Sequence, residues 1–505
     1  MNRTILFNAN AITMNGEEPT ADLVCIEEDR ILFVGGKDRL SMLKGYKDTV
    51  IDCAGMTLLP GFIDAHCHIL AYAENLVSLN FSPGARTLSI SDMQRTISSD
   101  CKHKPPGTWI RGKGYNEFCL AEKRHPNRWD LDAAASSHPV KLTHCSGHAH
   151  VLNSLALKAA GITAETGDPP GGLIERDLAT GEPTGLLFGM GQYLANRVPP
   201  LESSELERGV KIASDTLLSY GITSIQDASF ANDWSRRRRL ESWKEREILK
   251  PRVSMMMGLK EFSESGLCSS IPGPGGVKII ADQITGSLHP SQEELNAYVD
   301  AIHKAGLQAA IHAVEEPVIE AACIAIERAL NRNPKHDHRH RIEHCSVCPP
   351  DLLKRLTGIG VFVVTQPAFI YYSGDRYLDT VPGEKLEHLY PIGSMRDGNL
   401  RIGFSSDFPI ADPNPLVGIQ AAVTRKSQSG VQVSPQQRIS VSEALYMYTM
   451  GAACASFEEE VKGSLVPGKY ADIVALNENP ITANPECIKD IRVRWTMIGG
   501  RIVHV

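Results

Sequence analysis

Long apolar runs are missing from this sequence. No stretch approaches the roughly 18 uninterrupted apolar residues of a membrane span, which excludes a helical membrane protein. The opening residues, "MNRTILFNANAITMNG", are interrupted by polar groups every few positions and lack the apolar core of a secretion signal. A disulfide framework is missing as well. Twelve cysteines are scattered along the chain, and the pair Cys345 and Cys348 in "HCSVC" has no second CxxC to answer it. Reduced thiols in a cytoplasmic protein are therefore expected, most of them buried as small apolar residues. Excess positive charge is also absent. Lys and Arg number 52 against 59 Asp and Glu, a net charge of -7, which argues against a nucleic-acid surface. The one conspicuous basic run, Arg236 to Arg239 in "DWSRRRRLESWKERE", is followed by acidic residues at helical spacing and reads as a solvated helix face.

What is present suits a large globular chain: 505 residues, 42% hydrophobic and 22% charged. Both ends read as short strands with Gly, Asn and Asp turns, "ILFNANAITM" and "ADLVCIEEDRILFVG" at the start, "GSLVPGKYADIVALN" and "VRWTMIGGRIVHV" at the finish. Because the ends resemble each other and not the middle, residues 1–56 and 461–505 are expected to form one composite β-sandwich domain. Between them stand eight apolar runs separated by helical stretches: "TLLPGFIDAH", "ITSIQDAS", "RVSMMMGL", "VKIIAD", "LQAAIHAV", "HRIEHCS", "VFVVTQP" and "LRIGFSSDF". Near-continuous Val and Ile runs of this kind are buried parallel strands. Eight strand–helix units predict an α/β fold of the TIM type, a closed (β/α)₈ barrel over residues 57–460. One interval, about 71–205, is too long for a strand connection and carries its own strands and turns, so it is expected as an insertion after the first barrel strand. The cluster "PGPGG", Pro272 to Gly276, precedes a strand and not a helix, which makes it a turn and not a phosphate loop.

The polar exceptions within these runs fall at strand ends. His66 and His68 in "PGFIDAHCHI" are two apart, so in an extended chain both rings face one side, and a metal is the usual reason to aim two imidazoles at one point. Lys278 lies in "VKIIAD", His312 ends "LQAAIHAV", His344 ends "HRIEHCS" and Asp407 ends "LRIGFSSDF". Active sites of barrels are built at the C-terminal ends of several strands, and so many ionisable groups buried together need a common partner.

In this order (HxH, Lys, His, His, Asp) the chain resembles the amidohydrolase superfamily of metal-dependent hydrolases. More narrowly it is similar to family 3, the YtcJ-like branch that includes N-substituted formamide deformylases. "LLPGFIDAHCH", "SGHAHVLNSLAL", "GEPTGLLF", "RIEHCS", "SSDFPIADPNPLVGIQAAVTR" and "GSLVPGKYADIVAL" carry the resemblance over essentially the whole chain. It implies that His66, His68, His312 and His344 are metal ligands and that Asp407 is a ligand and the general base. It implies too that Lys278 is carbamylated by carbon dioxide to bridge two ions. The alternative for Lys278 is a salt bridge to Asp282 or Asp407 beside a single ion. His148 matches a histidine that approaches substrate and would hydrogen-bond the carbonyl oxygen, while Asp227 would orient a ligand histidine. His150 has no assigned role, and His336, His338 and His340 are read as loop residues. The sequence departs from the family after the lysine, where Gln283 stands in "ADQITGSLHPS" in place of a glycine, which bears on substrate class.

The expected activity is hydrolysis of a C–N bond in a small-molecule amide, formamide or cyclic amide by metal-activated water, with one or two divalent ions per chain. Zinc suits the nitrogen ligands. The alternatives are a mononuclear-metal deaminase, an esterase or lactonase on the same fold, and a non-catalytic family member. Tyr115, Phe118 and Tyr371, with Phe369, Tyr372 and Phe408, are candidates for an aromatic substrate pocket, and a homodimer without membrane or nucleic-acid partners is expected.

Overall fold

The computed structural model describes residues 3–43, 45, 48–82, 87–169, 171–265, 275–283 and 286–505. Of "PGPGG", Pro272 to Pro274 lie outside them. The chain divides into two compact units, Met1–Ile69 with Ser214–Val505, and Leu70–Ala213.

In the first unit the strands of both termini join one hydrogen-bonded sheet. Its order is Arg501–His504, Val493–Ile498, Ile473–Leu476, Thr57–Pro60, Arg3–Ile12, Thr20–Glu27 and Arg30–Gly35, with Thr49–Asp52 also on Arg3–Ile12. Side-chain alternation separates two apolar clusters. Leu6, Val24, Ile26, Leu58, Ile473 and Trp495 form the larger, and Ile5, Leu23 and Cys25 the smaller.

The second set of strands in this unit is parallel throughout. In chain order they are β1 (Phe62–Cys67), β2 (Ile222–Asp227), β3 (Arg252–Met255, continued by Met257–Gly258), β4 (Val277–Ile280), β5 (Ala309–Ala313), β6 (Arg341–His344), β7 (Phe362–Thr365) and β8 (Arg401–Phe404). Each pairs with its sequence neighbour; β3 changes partner at its break, Met256 N–H reaching Asp227 O and Met257 N–H reaching Gly276 O, each at 2.9 Å. Beyond β8 the chain returns to β1, with Asp407 N–H donating to His66 O at 3.0 Å and His68 N–H to Phe408 O at 2.9 Å.

Helices separate the strands, and their ends are written in the sequence. Ser291 and Glu294 make a capping box for Gln292–Lys304, Pro317 sits in the first turn of Glu316–Arg332, and Gly360 closes Pro350–Ile359 in the left-handed conformation. The hand-over between the two sheets lies at Gly61, later than the expected boundary at residue 57. Its N–H goes to Asp472 O (2.9 Å), whereas the next N–H, of Phe62, goes to Gly221 O (3.0 Å). Thr57–Pro60 therefore belongs with the termini.

The second unit holds a six-stranded mixed sheet in the order Leu173–Arg176, Pro183–Phe188, Ala149–Leu152, Val140–His144, Ile110–Tyr115 and Leu79–Asn80. Helix Ile90–Cys101 packs on it through Ile90, Met93 and Ile97. Among the described residues no helix is long and apolar enough to cross a membrane.

Candidate metal centre

Five strands of the first unit, β1, β4, β5, β6 and β8, bring their polar groups together. Ligand atoms of His66, His68 and Asp407 lie within 4.8 Å of one another. Asp407 Oδ1 is 3.0 Å from His68 Nε2 and 3.5 Å from His66 Nε2, and Asp407 Oδ2 is 4.0 Å from His344 Nδ1. The His344 ring centroid lies 5.0 Å from that of His66 and 4.5 Å from that of His312. Lys278 Nζ stands 3.3 Å from His66 Nε2.

Local backbone geometry makes this convergence possible. In a regular strand Glu343 and His344 would point to opposite faces. His344 instead takes φ +73° and Cys345 φ +51°, which breaks the alternation, so Glu343 and His344 both reach His66. Asp407, three residues beyond β8, has φ +59°. Such conformations cost on the order of 1–3 kcal/mol each for non-glycine residues and persist where the surroundings over-determine them. For Asp407 those surroundings include Asp64, whose carboxylate accepts from Ser406 Oγ at 2.5 Å and from Ser406 N–H at 3.2 Å. Burial pushes the Asp64 carboxyl up to about 7, against the pull of those hydrogen bonds.

The outer contacts set the tautomers of His66 and His344. His66 Nδ1 meets a carboxylate oxygen of Glu343, which only accepts, so the proton is on Nδ1 and Nε2 keeps its lone pair. Gln366 turns its amide nitrogen to Ser405 Oγ (2.9 Å) and its oxygen to His344 Nδ1 (2.9 Å), which makes His344 a donor there too. His68 Nδ1 faces Ser229 Oγ at 3.1 Å. The inner nitrogen of His66 thus confronts Asp407 Oδ1 acceptor to acceptor, and His68 Nε2 faces the same oxygen. Among the described residues that buried oxygen receives no hydrogen bond of full geometry, although His68 Nε2 at 3.0 Å is close enough to help hold it ionised. An acceptor-to-acceptor approach at this distance is relieved by a positive group; the Lys278 amine stands 3.3 Å from the same nitrogen, and nitrogen with carboxylate oxygen is also a donor set suited to a divalent transition ion. The residues fit a metal.

Electrostatics agree. Burial, then Lys278, pushes His66 well below the usual imidazole range, and burial lowers His344, so both are neutral and able to ligate. Burial alone would raise Asp407, yet His68, His66 and His344 around it hold its carboxyl below the usual range and keep it ionised. Burial brings the Lys278 amine down to about 8.

Other residues singled out in the sequence have contacts of their own. Asp227 accepts from Ile69 N–H (2.8 Å), Ser229 N–H (3.0 Å) and Asn232 Nδ2 (2.7 Å), so it touches no ligand ring and braces Ser229, which does. The carboxylate that meets one of these rings is that of Glu343, on His66 Nδ1. Tyr115 is fully buried in the core of the second unit, its hydroxyl 3.0 Å from His125 Nδ1, which leaves no ring face for a substrate. Phe118 and His148 are exposed in that unit, and His148 N–H donates to Ser146 Oγ at 3.3 Å. Tyr371 and Phe369 pack on the cluster of Ile370, Tyr390 and Val433, and Phe408 is buried. His338 and His340 are tied into backbone contacts on the entry side of β6, where His340 Nε2 meets His303 Nδ1 at 2.9 Å. Among the described residues the eleven cysteines form no disulfide with one another.

Comparison with known proteins places this geometry in context. A family model described as "Amidohydrolase family" matches residues 49–504, so the chain belongs to the amidohydrolase family and is a hydrolase of that kind. It is 28% identical over 536 residues to an N-substituted formamide deformylase of Arthrobacter pascens, covering 99% of this chain and 98% of that protein. It is 27% identical over 532 residues to the putative amidohydrolase YtcJ of Bacillus subtilis (strain 168), covering 97% of each. Among solved structures, an uncharacterized metal-dependent hydrolase from Pyrococcus horikoshii OT3 shares the fold with a TM-score of 0.76 at 22% identity, over 96% of this chain and 99% of that one.

Proposed function

We propose that the chain hydrolyses an amide-like C–N bond of a small molecule at a divalent-metal centre held by His66, His68, His312, His344 and Asp407, with zinc as the ion. One observation carries the reading: inner nitrogens facing a buried oxygen of Asp407 that lacks a hydrogen bond of full geometry. The relative named N-substituted formamide deformylase supports formamides or other amides as the bond class. An ion held there supplies Lewis acidity and brings the pKa of water down from 15.7 towards roughly 7. Asp407, kept ionised, takes a proton from the attacking water and returns it to the departing nitrogen, which leaves poorly without it. Glu343, Gln366 and Ser229 hold the three rings in register for that work. In a two-ion form, Lys278 serves as its carbamate, which offers two oxygens where the free amine offers a positive charge.

With this reading go a closed (β/α)₈ barrel, for which the Asp407–His66 and His68–Phe408 backbone bonds are the support, and a terminal sheet folded over its larger cluster as a sandwich. We also place the protein in the cytoplasm, in keeping with described cysteines that form no disulfide with one another, and as a homodimer. A second reading, a mononuclear deaminase or cyclic-amide hydrolase, is favoured by one contact, the direct hydrogen bond of Lys278 to His66.

The test is turnover of zinc-loaded protein on a panel of N-substituted formamides, other amides, cyclic amides, amino-heterocycles, esters and lactones. Activity confined to the first three, lost with a chelator and restored by zinc, supports the reading. Ammonia release from amino-heterocycles alone moves it to the deaminase, and activity on esters or lactones alone overturns the C–N assignment.

A further inference from the structure

We propose that Glu343 is a positioning residue for the metal centre: seated on Arg341, it holds His66 as the Nδ1–H tautomer with the Nε2 lone pair turned to the ion. This rests on the metal reading above. The geometry leaves Glu343 no other task. Arg341 and Glu343 both have fully buried side chains; Arg341 Nε donates to Oε1 at 2.6 Å and Nη2 to Oε2 at 2.8 Å, and the same Oε2 takes His66 Nδ1–H. Arg341 is itself fixed across the strands, its Nη2 on Ala65 O of β1 at 2.9 Å and its Nη1 on Gln226 Oε1 of β2. The carboxylate is thus clamped in position before any ion arrives.

Fold stability does not account for the pair. Taking two charges out of water costs about as much as their attraction returns, and apolar residues of similar volume often do as well or better. A backbone carbonyl would be enough to choose the tautomer. A full negative charge on the outer nitrogen does more, because it raises the donor strength of the inner one, and outer-shell partners of this kind are worth roughly 10–100-fold in metal affinity. Arg341 compensates that charge, so the centre gains a stronger ligand without added anionic repulsion. In the sequence, Arg341 and Glu343 share a strand face by their spacing of two, and the same face carries the ring contact.

The experiment strips the full chain of metal with a chelator and titrates zinc against a chromophoric competitor, for wild type and Glu343→Gln. The variant is expected to bind zinc about 10–100-fold more weakly. An affinity equal to wild type in a folded variant overturns the role. Should Glu343→Gln fail to fold, ¹⁵N-histidine NMR of the stripped wild type decides, with the His66 signals assigned through His66→Gln: a proton on Nδ1 and none on Nε2 is expected, and the Nε2–H form or a doubly protonated ring overturns it. Wild type that takes up no zinc sinks the metal reading and this role together; zinc uptake that is indifferent to Glu343 sinks this role alone.

Discussion

Lys278 Nζ donates to His66 Nε2 across 3.3 Å, so the amine uses the lone pair that a metal ion would need. The two contacts compete for one lone pair. As an amine the lysine must turn aside to yield the ring to a single ion; as a carbamate it releases the ring and offers two oxygens. Burial brings the amine down to about 8, which leaves an appreciable neutral fraction at physiological pH, and only the neutral form reacts with carbon dioxide. Reconstitution with zinc and bicarbonate is therefore expected to give about two ions per wild-type chain, the two-metal arrangement, and a single ion or none in Lys278→Ala. Elemental analysis checks this. A single ion in both proteins, indifferent to bicarbonate, makes the lysine structural and favours the mononuclear reading.

The two roles proposed for Asp407, ligand and base, can be separated. Its Oδ1 lies between His66 and His68 while its Oδ2 is directed towards His344, and Asn in its place keeps a ligating oxygen but cannot carry a proton away from water. Asp407→Asn is expected to retain zinc and to lose about 10²–10⁴-fold in kcat, the usual contribution of a general base. Wild-type kcat in the metal-loaded variant removes Asp407 from proton transfer.

The proposed ligand set is legible because each residue interrupts an apolar run with a group that such a run would not otherwise contain. His66, His68, Lys278, His312, His344 and Asp407 are marked in this way. The supporting residues are not. Glu343 stands next to His344 and, by strand alternation, should face away; only the left-handed backbone at His344 brings both to one ring. Gln366 and Ser229 look like ordinary residues at strand ends, and their roles depend on partners 22 and 161 positions away. The expectation for Tyr115 gave way for the opposite reason. Tyr115 is large and apolar enough to be worth more in a core than in a pocket, and that is where it lies. In the fold, Thr57–Pro60 reads continuously with β1, and nothing short of the alternating hydrogen bonds at Gly61 and Phe62 reveals that the run serves two sheets.

That hand-over makes a prediction. A Cβ on Gly61 would fall 2.2 Å from both Cγ2 and Oγ1 of Thr223, whereas one on Gly16 meets nothing within 4 Å. Thr223 lies on buried β2 between neighbours on both sides, so it has nowhere to retreat. Gly61→Ala is expected to destabilise the first unit by about 1–3 kcal/mol, as overpacking does, and Gly16→Ala to have no comparable effect. Thermal melting of the two variants beside wild type measures it; equal melting temperatures would show that β1 and β2 separate more readily than their packing implies.

Acid should loosen the entry side of β6. His340 Nδ1 accepts from Ala309 N–H at 3.0 Å and His338 Nδ1 accepts from His340 N–H at 2.9 Å, so a proton added to either nitrogen removes a backbone hydrogen bond. Burial first, and then neighbouring positive groups, hold both below the ordinary value: Arg401 and His303 act on His338, and His338, His303 and Lys335 act on His340, with Asp337 opposing at His338. In the unfolded chain each binds a proton near pH ~6.5. Below that pH the unfolded state holds more protons than the folded one, so stability is complete above about 6.5 and falls as pH drops. Each histidine contributes a slope of up to about 1.4 kcal/mol per pH unit until its folded form titrates. His340→Asn is expected to lower the melting temperature at pH 7.5, because Ala309 N–H and His303 lose a partner, and to flatten the decline between pH 6.5 and 5. Parallel melting curves of wild type and variant across that range would assign the acid sensitivity to histidines elsewhere.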